Sequence, residues 1–300
     1  MKILKKIKSL ILFIINFRDF MDEIKVNQGI ILSRINENKV LNNIQDYEFK
    51  IFSQDGEDGI IQHLLNCLEI KNKTFIEFGV EDFTESNCRF LLIKDKWSGF
   101  VIDGSEKNIN KLKNYNFYWK KNLTAIHCIL NKENIEEILK TSNFDQDLGI
   151  MSIDLDGNDY YILNEINYYK PRILICEYNS LFGDTKKVSV PYRSDFFMTK
   201  AHYSNQFWGA SLAALNHLAQ LKGYELVGTS SSGINAFFVR KDLINDKIKI
   251  LSVKSAFTKS RHQNSRDKNY NLNFLNYHKR EEIIKGKKVY EVEKENEEIF

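Results

Sequence analysis

Five short apolar runs alternate with stretches in which apolar residues recur every three or four positions, between about residue 51 and residue 250. The runs comprise residues 74–79, 99–103, 123–130, 149–157 and 172–179. Helical spacing is clearest over residues 60–68, and further helices are expected around residues 87–94 and from about Ser105 onward. Short buried strands that alternate with helices predict a parallel sheet covered by helices on both faces.

The pattern changes after the fifth run. Residues 207–221 have helical spacing, and Gly223 is placed to end that helix. Two further strands, residues 224–228 and 234–240, are joined by a connection so short that they must be antiparallel. We therefore predict an α/β, Rossmann-like sheet of parallel strands with a C-terminal antiparallel hairpin, a layout that resembles the class I S-adenosylmethionine-dependent methyltransferases.

Outside this central part the pattern is weaker, which suggests three regions. We expect residues 1–50 to form an N-terminal helical cap, residues 51–250 the methyltransferase domain, and residues 251–300 a charged C-terminal extension that ends in a solvated helix or tail. Residues 1–8 are basic and residues 9–17 apolar, but no small-residue cleavage site follows and the run is too short to span a membrane. Residues 1–20 are therefore either a basic amphipathic helix that contacts anionic lipid or a partner, or an ordinary first helix.

Composition and charge narrow the class of protein. A chain of 300 residues with 43% hydrophobic residues can bury a large core. Its 43 basic and 40 acidic residues give a net charge of +3, so no basic face for nucleic acid is required, whereas a small acidic substrate fits. The four cysteines show no CxxC spacing and lie in apolar runs, which favours reduced thiols in a cytoplasmic protein. The composition leaves a homo-oligomer open.

The first strand ends in a turn that carries acids. Glu77 lies on the strand and Gly79 in the turn, where a backbone must come close to a ligand. Of the dinucleotide fingerprint GxGxxG, only Gly79 is present. An acid-rich turn repels phosphate and suits the ammonium and sulfonium of S-adenosylmethionine, and Asp103, at the end of the second strand, is placed to bind its ribose hydroxyls. We predict that Gly104 and Ser105 complete this cofactor site; for Gly79 a plain tight turn is the alternative.

Two neighbouring runs also end in carboxylates. Asp154 and Asp156 follow the fourth strand, and Glu177 ends the fifth. If these strands are parallel neighbours, the three acids meet at the edge of the sheet where α/β proteins bind ligands. The sequence therefore predicts a cation site there, with Asp154 also close to the cofactor and in a catalytic role.

These segments together resemble the FkbM-like sugar O-methyltransferases and their relatives in bacterial polysaccharide clusters. The resemblance covers about residues 51–243 and lies in residues 75–87, 101–105, 152–160, 177–179 and 209–215. It implies S-adenosylmethionine as the methyl donor, held by Glu77, Gly79 and Asp103. Glu81 stands where a second glycine is common in the family, which changes the contacts expected of that loop.

A weaker similarity to magnesium-dependent macrolide sugar O-methyltransferases gives the cation site a chemical role. It implies that acids after the fourth and fifth strands chelate a divalent ion that also holds two neighbouring hydroxyls of the acceptor. The metal ligands are then Asp154, Asp156 and Glu177, with the amide of Asn179 as a further oxygen ligand. Such oxygen ligands are the ones that Mg²⁺ or Mn²⁺ prefers. The alternative is structural: Asp154 caps the next helix, and Glu177 pairs with Arg172.

The long connection over residues 181–206 is typical of a functional lid. It carries His202, which we predict as the general base for the acceptor hydroxyl. Its cations, which suit a diphosphate, are Lys186, Lys187, Arg193 and Lys200. The predicted function is methyl transfer to a sugar hydroxyl, on a nucleotide-activated sugar for capsular or another surface polysaccharide. The alternatives are a methyltransferase for a nitrogen or phosphate-type group of a capsule component, and a non-catalytic binding protein with the same fold.

Overall fold

The described part of the chain forms ten strands, and seven of them make up the main sheet. The computed structural model describes residues 2–300, except for the side chains of residues 2–4, 8–10, 12 and 14–16. The strands are β1 (Thr74–Phe78), β2 (Ser98–Asp103), β3 (Leu123–His127), β4 (Ile150–Ile153), β5 (Ile173–Glu177), β6 (Val188–Ser189), β7 (Tyr224–Thr229), β8 (Asn235–Arg240), β9 (Lys288–Glu291) and β10 (Asn296–Ile299). The order in the main sheet is β3-β2-β1-β4-β5-β8-β7.

Strand direction confirms the predicted fold class. Strands β1 to β5 are mutually parallel, with Phe75 opposite Ile150 and Ile150 opposite Ile173. Strand β8 is antiparallel to both β5 and β7. This is the Rossmann-like sheet of class I methyltransferases, a parallel sheet closed by an antiparallel hairpin. The connection between β7 and β8 is too short to allow the crossover that parallel strands need.

Helices cover both faces of this sheet. They are α1 (Lys2–Glu37), α2 (Glu57–Cys67), α3 (Arg89–Lys94), α4 (Glu106–Lys113), α5 (Ile135–Lys140), α6 (Asp159–Glu165), α7 (Met198–Ala201), α8 (Leu212–Leu221), α9 (Val253–Ala256) and α10 (Tyr277–Ile284). Successive strand residues point to opposite faces, so Phe75 packs in one hydrophobic core while Ile76 and Phe78 pack in the other. The apolar runs of the sequence are therefore strands buried on both sides.

Capping side chains set the ends of two predicted helices. Helix α4 begins after Ser105, whose hydroxyl accepts a hydrogen bond from the backbone N–H of Asn108, as the prediction of a helix from about Ser105 requires. The helix predicted over residues 207–221 begins later, at Leu212, because the Ser211 hydroxyl accepts from the Ala214 N–H and fixes the first turn there. The third strand ends at His127, three residues before its predicted end.

The prediction of a solvated helix or tail over residues 281–300 is wrong. Helix α10 is followed by the hairpin β9–β10, and β9 pairs with β6 to form a second, antiparallel sheet in the order β10-β9-β6. Ile284 and Val289 are buried with Val188 in a small core of their own. The few apolar residues of this segment are widely spaced among charged ones. They are enough to hold it in place because they pack against a surface that another part of the chain provides.

Helix α1 is fastened to the sheet domain through its middle. The Asp22 carboxylate pairs with Arg89 at 2.7 Å, and the Arg18 guanidinium lies 4.1 Å from the centre of the Tyr115 ring. Within residues 2–300, no helix is both long enough and apolar enough to cross a membrane. The lipid or partner contact predicted for residues 1–20, of which Met1 lies outside the described residues, stays a prediction.

Candidate functional site

A cavity of about 590 Å³ opens at the carboxyl-terminal edge of the parallel strands. Four neighbouring strands each bring a predicted site residue to it. These residues are Asp103 at the end of β2, Gly79 after β1, Asp154 after β4 and Glu177 at the end of β5. The volume is typical of a pocket for a cofactor or a drug-sized ligand. Among the residues predicted for the cofactor site, Glu77, Gly104 and Ser105 line it as well.

Gly79 brings the loops that follow β1 and β4 into close contact. Its φ is +67°, a left-handed conformation that favours glycine, and a Cβ at this position would overlap the carbonyl oxygen of Asp154. The Gly79 N–H donates to the Ile102 carbonyl at 2.9 Å. The close approach predicted for Gly79 therefore exists, and the group that comes close is the backbone of the β4 loop. Gly79 is more than a plain tight turn, because it seats the chain that carries Asp154.

Asp103 ties together the loops after β1 and β2. One carboxylate oxygen accepts the Glu81 N–H at 2.8 Å and the other accepts the Ser105 N–H at 2.7 Å. Each carboxylate oxygen has a second lone pair, so the group can still accept a hydrogen bond from a ligand hydroxyl. Its contact with ribose stays a prediction.

Glu77 is buried beneath the cavity and organises the loop that follows β1. Its carboxylate accepts hydrogen bonds from the Ser86 hydroxyl at 2.6 Å, the Asn87 N–H at 2.7 Å and the Cys88 N–H at 3.2 Å. Burial raises the pKa of Glu77 to about 7, although these hydrogen bonds act in the opposite direction. The structure thus gives Glu77 a positioning role, and its predicted contact with the cofactor stays a prediction.

The structure brings the three predicted metal ligands together. Asp154, Asp156 and Glu177 each offer an oxygen, and these oxygens lie within 4.8 Å of one another. Oε2 of Glu177 is buried without a hydrogen-bond partner. No ion pair in the described part of the chain involves any of the three. Three hard oxygen donors without a counterion, one of them unpartnered, fit a small divalent cation.

Electrostatics at this cluster reflect the missing counterion. Burial, followed by the charge of Asp156, raises the pKa of Asp154 well above its usual range. Burial and then the charge of Asp154 do the same to the pKa of Glu177. Asp156 is surrounded by protein yet exposed to the cavity, and its φ is +55°. Like charges at such separations disfavour one another's ionised form, which a cation would reverse.

The structural alternative for these acids is wrong. Asp159, not Asp154, accepts the N–H groups of Leu155 and Gly157, at 2.8 and 3.0 Å, and so shapes the loop before α6. Arg172 pairs with Asp147 at 2.6 Å, at the start of β5 and away from Glu177. The three acids of the cluster are therefore not accounted for by capping or by an arginine pair.

Asn179 does not take the place predicted for it. Its amide nitrogen donates to the carbonyls of Gln206 and Trp208, both at 3.0 Å, and its oxygen accepts the Leu181 N–H at 3.0 Å. The side chain therefore holds the loop after β5 against residues 206–208. Its predicted role as a metal ligand receives no support.

His202 lies outside the cavity lining. Its Nδ1 is 2.7 Å from the Ser204 hydroxyl, and its ring packs against Tyr203. Burial, and then the charge of Lys287, lowers the pKa of His202. In this conformation His202 does not reach the acids, and its role as general base stays a prediction.

The predicted loop cations make contacts outside the cavity lining as well. Lys187 pairs with Glu293 at 2.7 Å, and Arg193 pairs with Asp195 at 3.2 Å. Lys186 and Lys200 lie over the rings of Phe300 and Phe197. None of the four lines the cavity in the described part of the chain.

The C-terminal extension supplies site residues that the sequence did not reveal. Ser260, His262, Asn264 and Arg280 all line the cavity. His262 Nε2 lies 3.1 Å from the Asp55 carboxylate. These residues stand in a polar stretch without apolar periodicity, so no local pattern signals that they are close to strands β4 and β5.

The comparison with known proteins found similarity to solved structures but not to characterised sequences. No protein-family model and no curated protein matches this sequence. The N-terminal domain of EvdMO1, solved with SAH bound, is 12% identical over 72% of this chain and 94% of its own, with a TM-score of 0.40. An S-adenosylmethionine-dependent methyltransferase from Clostridium acetobutylicum ATCC 824 is 10% identical over 61% and 90%, with a TM-score of 0.38. The plantazolicin methyltransferase BamL is 13% identical over 78% and 91%, with a TM-score of 0.37. Because these identities and TM-scores are low, the fold is assigned from the strand order and from the antiparallel direction of β8. By these features the chain has the class I methyltransferase fold.

Proposed function

We propose that the protein is an S-adenosylmethionine-dependent O-methyltransferase that methylates a sugar hydroxyl with the assistance of Mg²⁺ or Mn²⁺. The acceptor we propose is a nucleotide-activated sugar for capsular or another surface polysaccharide, as the resemblance of the sequence motifs implies. The observation that carries the proposal is the convergence of Asp154, Asp156 and Glu177, with an unpartnered Glu177 oxygen, at the cavity edge of a methyltransferase sheet.

The cavity suits a methyl donor on the side of β1 and β2. Glu81 and Asp103 place negative charge near the Gly79 turn, which favours a ligand that carries an ammonium and a sulfonium. Asp103 can accept a hydrogen bond from a ribose hydroxyl while its two backbone donors hold it in place. Phe78 and Leu155 add apolar surface to the same cavity.

The acids on β4 and β5 would hold the metal beside this donor site. A bound divalent cation makes an acceptor hydroxyl more acidic and orients it. The chain contributes alignment, because methyl transfer requires the acceptor oxygen to lie in line with the methyl group. Phe196 and Trp208 line the cavity and would help to exclude water.

The test measures donor binding and methyl transfer separately. The protein is incubated with labelled S-adenosylmethionine and a panel of nucleotide-activated sugars, with Mg²⁺, with Mn²⁺ or with EDTA. We expect transfer only with metal, and we expect Asp154→Asn and Glu177→Gln to lower the rate about 100-fold or more while donor binding remains. Asp246→Asn, an exposed acid outside the cavity, is the matched control.

Three results would contradict the proposal in different ways. A protein that does not bind S-adenosylmethionine is not a methyltransferase of this kind. Transfer that is equal in EDTA and unchanged in Glu177→Gln removes the metal from the proposal and favours a nitrogen or phosphate-type acceptor. Donor binding without transfer to any acceptor of the panel favours a binding protein with this fold.

A further inference from the structure

Three arginines of the protein are buried, and only two of them have a carboxylate partner. Arg89 pairs with Asp22 at 2.7 Å, and Arg172 pairs with Asp147 at 2.6 Å. Arg280 is 3% exposed and forms no ion pair with any carboxylate of the described residues. A buried cation without a counterion is unfavourable, so its presence calls for a partner that is not part of the chain.

The hydrogen bonds of Arg280 leave much of its guanidinium unused. One terminal nitrogen donates to the Ser260 carbonyl at 2.7 Å, and the other makes a long contact of 3.4 Å with the Gln206 amide oxygen. Nε has no partner at all. A guanidinium offers five N–H groups in a planar fork, which matches the oxygens of a carboxylate or a phosphate. Both of its acceptors are neutral, and the centre of the Tyr277 ring lies 5.8 Å from the guanidinium carbon, so no carboxylate balances the positive charge.

Arg280 lies on the acceptor side of the cavity. It is the only lysine or arginine among the described residues that line this cavity, whereas carboxylates surround the donor and metal sites. Its partner Ser260 donates its N–H to the Ser180 hydroxyl at 2.9 Å, and Ser180 directly follows the loop after β5. Strand β5 is separated from β2, where Asp103 lies, by β4 and β1. The guanidinium is thus far along the sheet from the predicted ribose site.

We propose that Arg280 binds an anionic group of the acceptor, a carboxylate or a phosphate, and so selects an acidic sugar derivative. This inference rests on the proposed function and adds the class of acceptor to it. The acids near β1, β2 and β4 repel an anion, so Arg280 fixes which end of the acceptor points away from the donor. A charge-assisted, two-pronged contact of this kind also orients the sugar.

The test uses small anions in place of the unidentified acceptor. Full-length protein saturated with S-adenosylhomocysteine is titrated with sodium phosphate, sodium acetate or sodium chloride at equal ionic strength, and the unfolding midpoint is followed. We expect phosphate, acetate or both to raise the midpoint more than chloride does. In Arg280→Gln the affinity for the preferred anion should fall about 10- to 100-fold. A response to phosphate alone assigns a phosphoryl group, and a response to acetate assigns a carboxylate.

Stability without added anion distinguishes this role from a structural one. Arg280→Gln should be at least as stable as the unchanged protein, because it removes an unbalanced buried charge. Arg172→Gln, which breaks a carboxylate pair, should be less stable. Arg280→Lys should keep part of the anion response, since it keeps the charge but loses the fork. Arg34→Gln, which alters an exposed side chain of helix α1 outside the cavity, should keep all of it.

The inference is overturned if the unchanged protein binds S-adenosylhomocysteine but shows no preference for either anion over chloride. It is equally overturned if Arg280→Gln keeps the preference for phosphate or acetate over chloride. A loss of stability in Arg280→Gln as large as that in Arg172→Gln, together with an anion response that persists, would assign Arg280 a structural role instead. Failure to bind S-adenosylhomocysteine would instead refute the proposed function.

Discussion

Replacing Gly79 by alanine tests the contact on which the site depends. The residue combines a positive φ of +67° with a Cβ position that overlaps the Asp154 carbonyl oxygen. Gly183 offers a matched control, because its φ is +76° and nothing lies within 4 Å of its Cβ position. Both variants place a Cβ on a residue of positive φ, but only Gly79→Ala adds a steric overlap with backbone.

The two contributions have different sizes. Gly183 has a ψ of −169°, which with its positive φ is a conformation that is essentially restricted to glycine, so Gly183→Ala should cost roughly 1–3 kcal/mol. At Gly79 the group that would be overlapped is backbone, so no side chain can rotate away and the loops after β1 and β4 must separate. We expect a total loss of about 3–5 kcal/mol of unfolding free energy for Gly79→Ala, in the range that only core strain or cavities usually produce.

Equilibrium urea unfolding of both variants gives the free energies, and calorimetric titration gives donor and Mn²⁺ affinity. Gly183→Ala should bind donor and metal like the unchanged protein. Gly79→Ala should bind both more weakly, because Asp154 moves with its loop. If the two variants lose equal stability within error, or if Gly79→Ala binds Mn²⁺ normally, the contact between the loops does not hold the site as described.

Two further predictions concern charge. Burial lowers the pKa of His63 to about 4, so the folded protein resists a proton that the unfolded chain takes up near pH 6.5. The contribution of His63 to stability is therefore full above pH 6.5 and is lost as the pH falls toward 4. From pH 7 to pH 5 we expect the unfolding free energy, measured by urea unfolding, to fall by about 1 kcal/mol after allowance for partial exposure. This loss should be absent in His63→Gln but retained in His217→Gln. Two ionised carboxylates no more than 4.8 Å apart repel by about 3.5 kcal/mol or more at an effective dielectric constant of about 20. Proton uptake, which the raised pKa values of Asp154 and Glu177 favour, relieves part of this repulsion, so Glu177→Gln in EDTA at pH 8 should raise the unfolding free energy by about 1–3 kcal/mol. A decrease, with Asp246→Asn unchanged, would show that the cluster is not repulsive.

The sheet and the position of the acids could be predicted because both follow from strand pattern. Phe75 and Ile76 are both buried because helices cover both faces, so a short apolar run is sufficient evidence for the strand. Parallel strands all end at one edge, which is why Asp103, Asp154 and Glu177 meet although they are far apart in sequence. The strand topology alone is therefore enough to predict that these acids lie at the same edge of the sheet.

Contacts made by loops and by the C-terminal extension could not be predicted in the same way. Asn179 is predicted as a metal ligand, but its amide is engaged by the Leu181 N–H and by backbone carbonyls of residues 206 and 208. Asp159, for which the sequence predicts no role, accepts backbone N–H groups of its own loop. Arg280 reaches the cavity only because helix α10 packs against the turn after β5, where the Tyr277 hydroxyl donates to the Ser180 carbonyl. Nothing in the local sequence encodes that docking.

Hydrogen-bond partners separate the buried acids of this protein into two kinds. Asp58 accepts three backbone N–H groups, Glu77 two and Asp159 two, so each holds a loop in place even though burial raises its pKa to about 6 or 7. No backbone N–H of the described residues donates to the Asp154 or Glu177 carboxyl group, and Oε2 of Glu177 has no hydrogen-bond partner. A carboxylate enclosed by protein but unsupported by backbone donors lowers stability unless something outside the chain binds it. Because the acids without backbone donors lie side by side at the cavity edge, the chain's own hydrogen bonds identify which acids are left for a ligand.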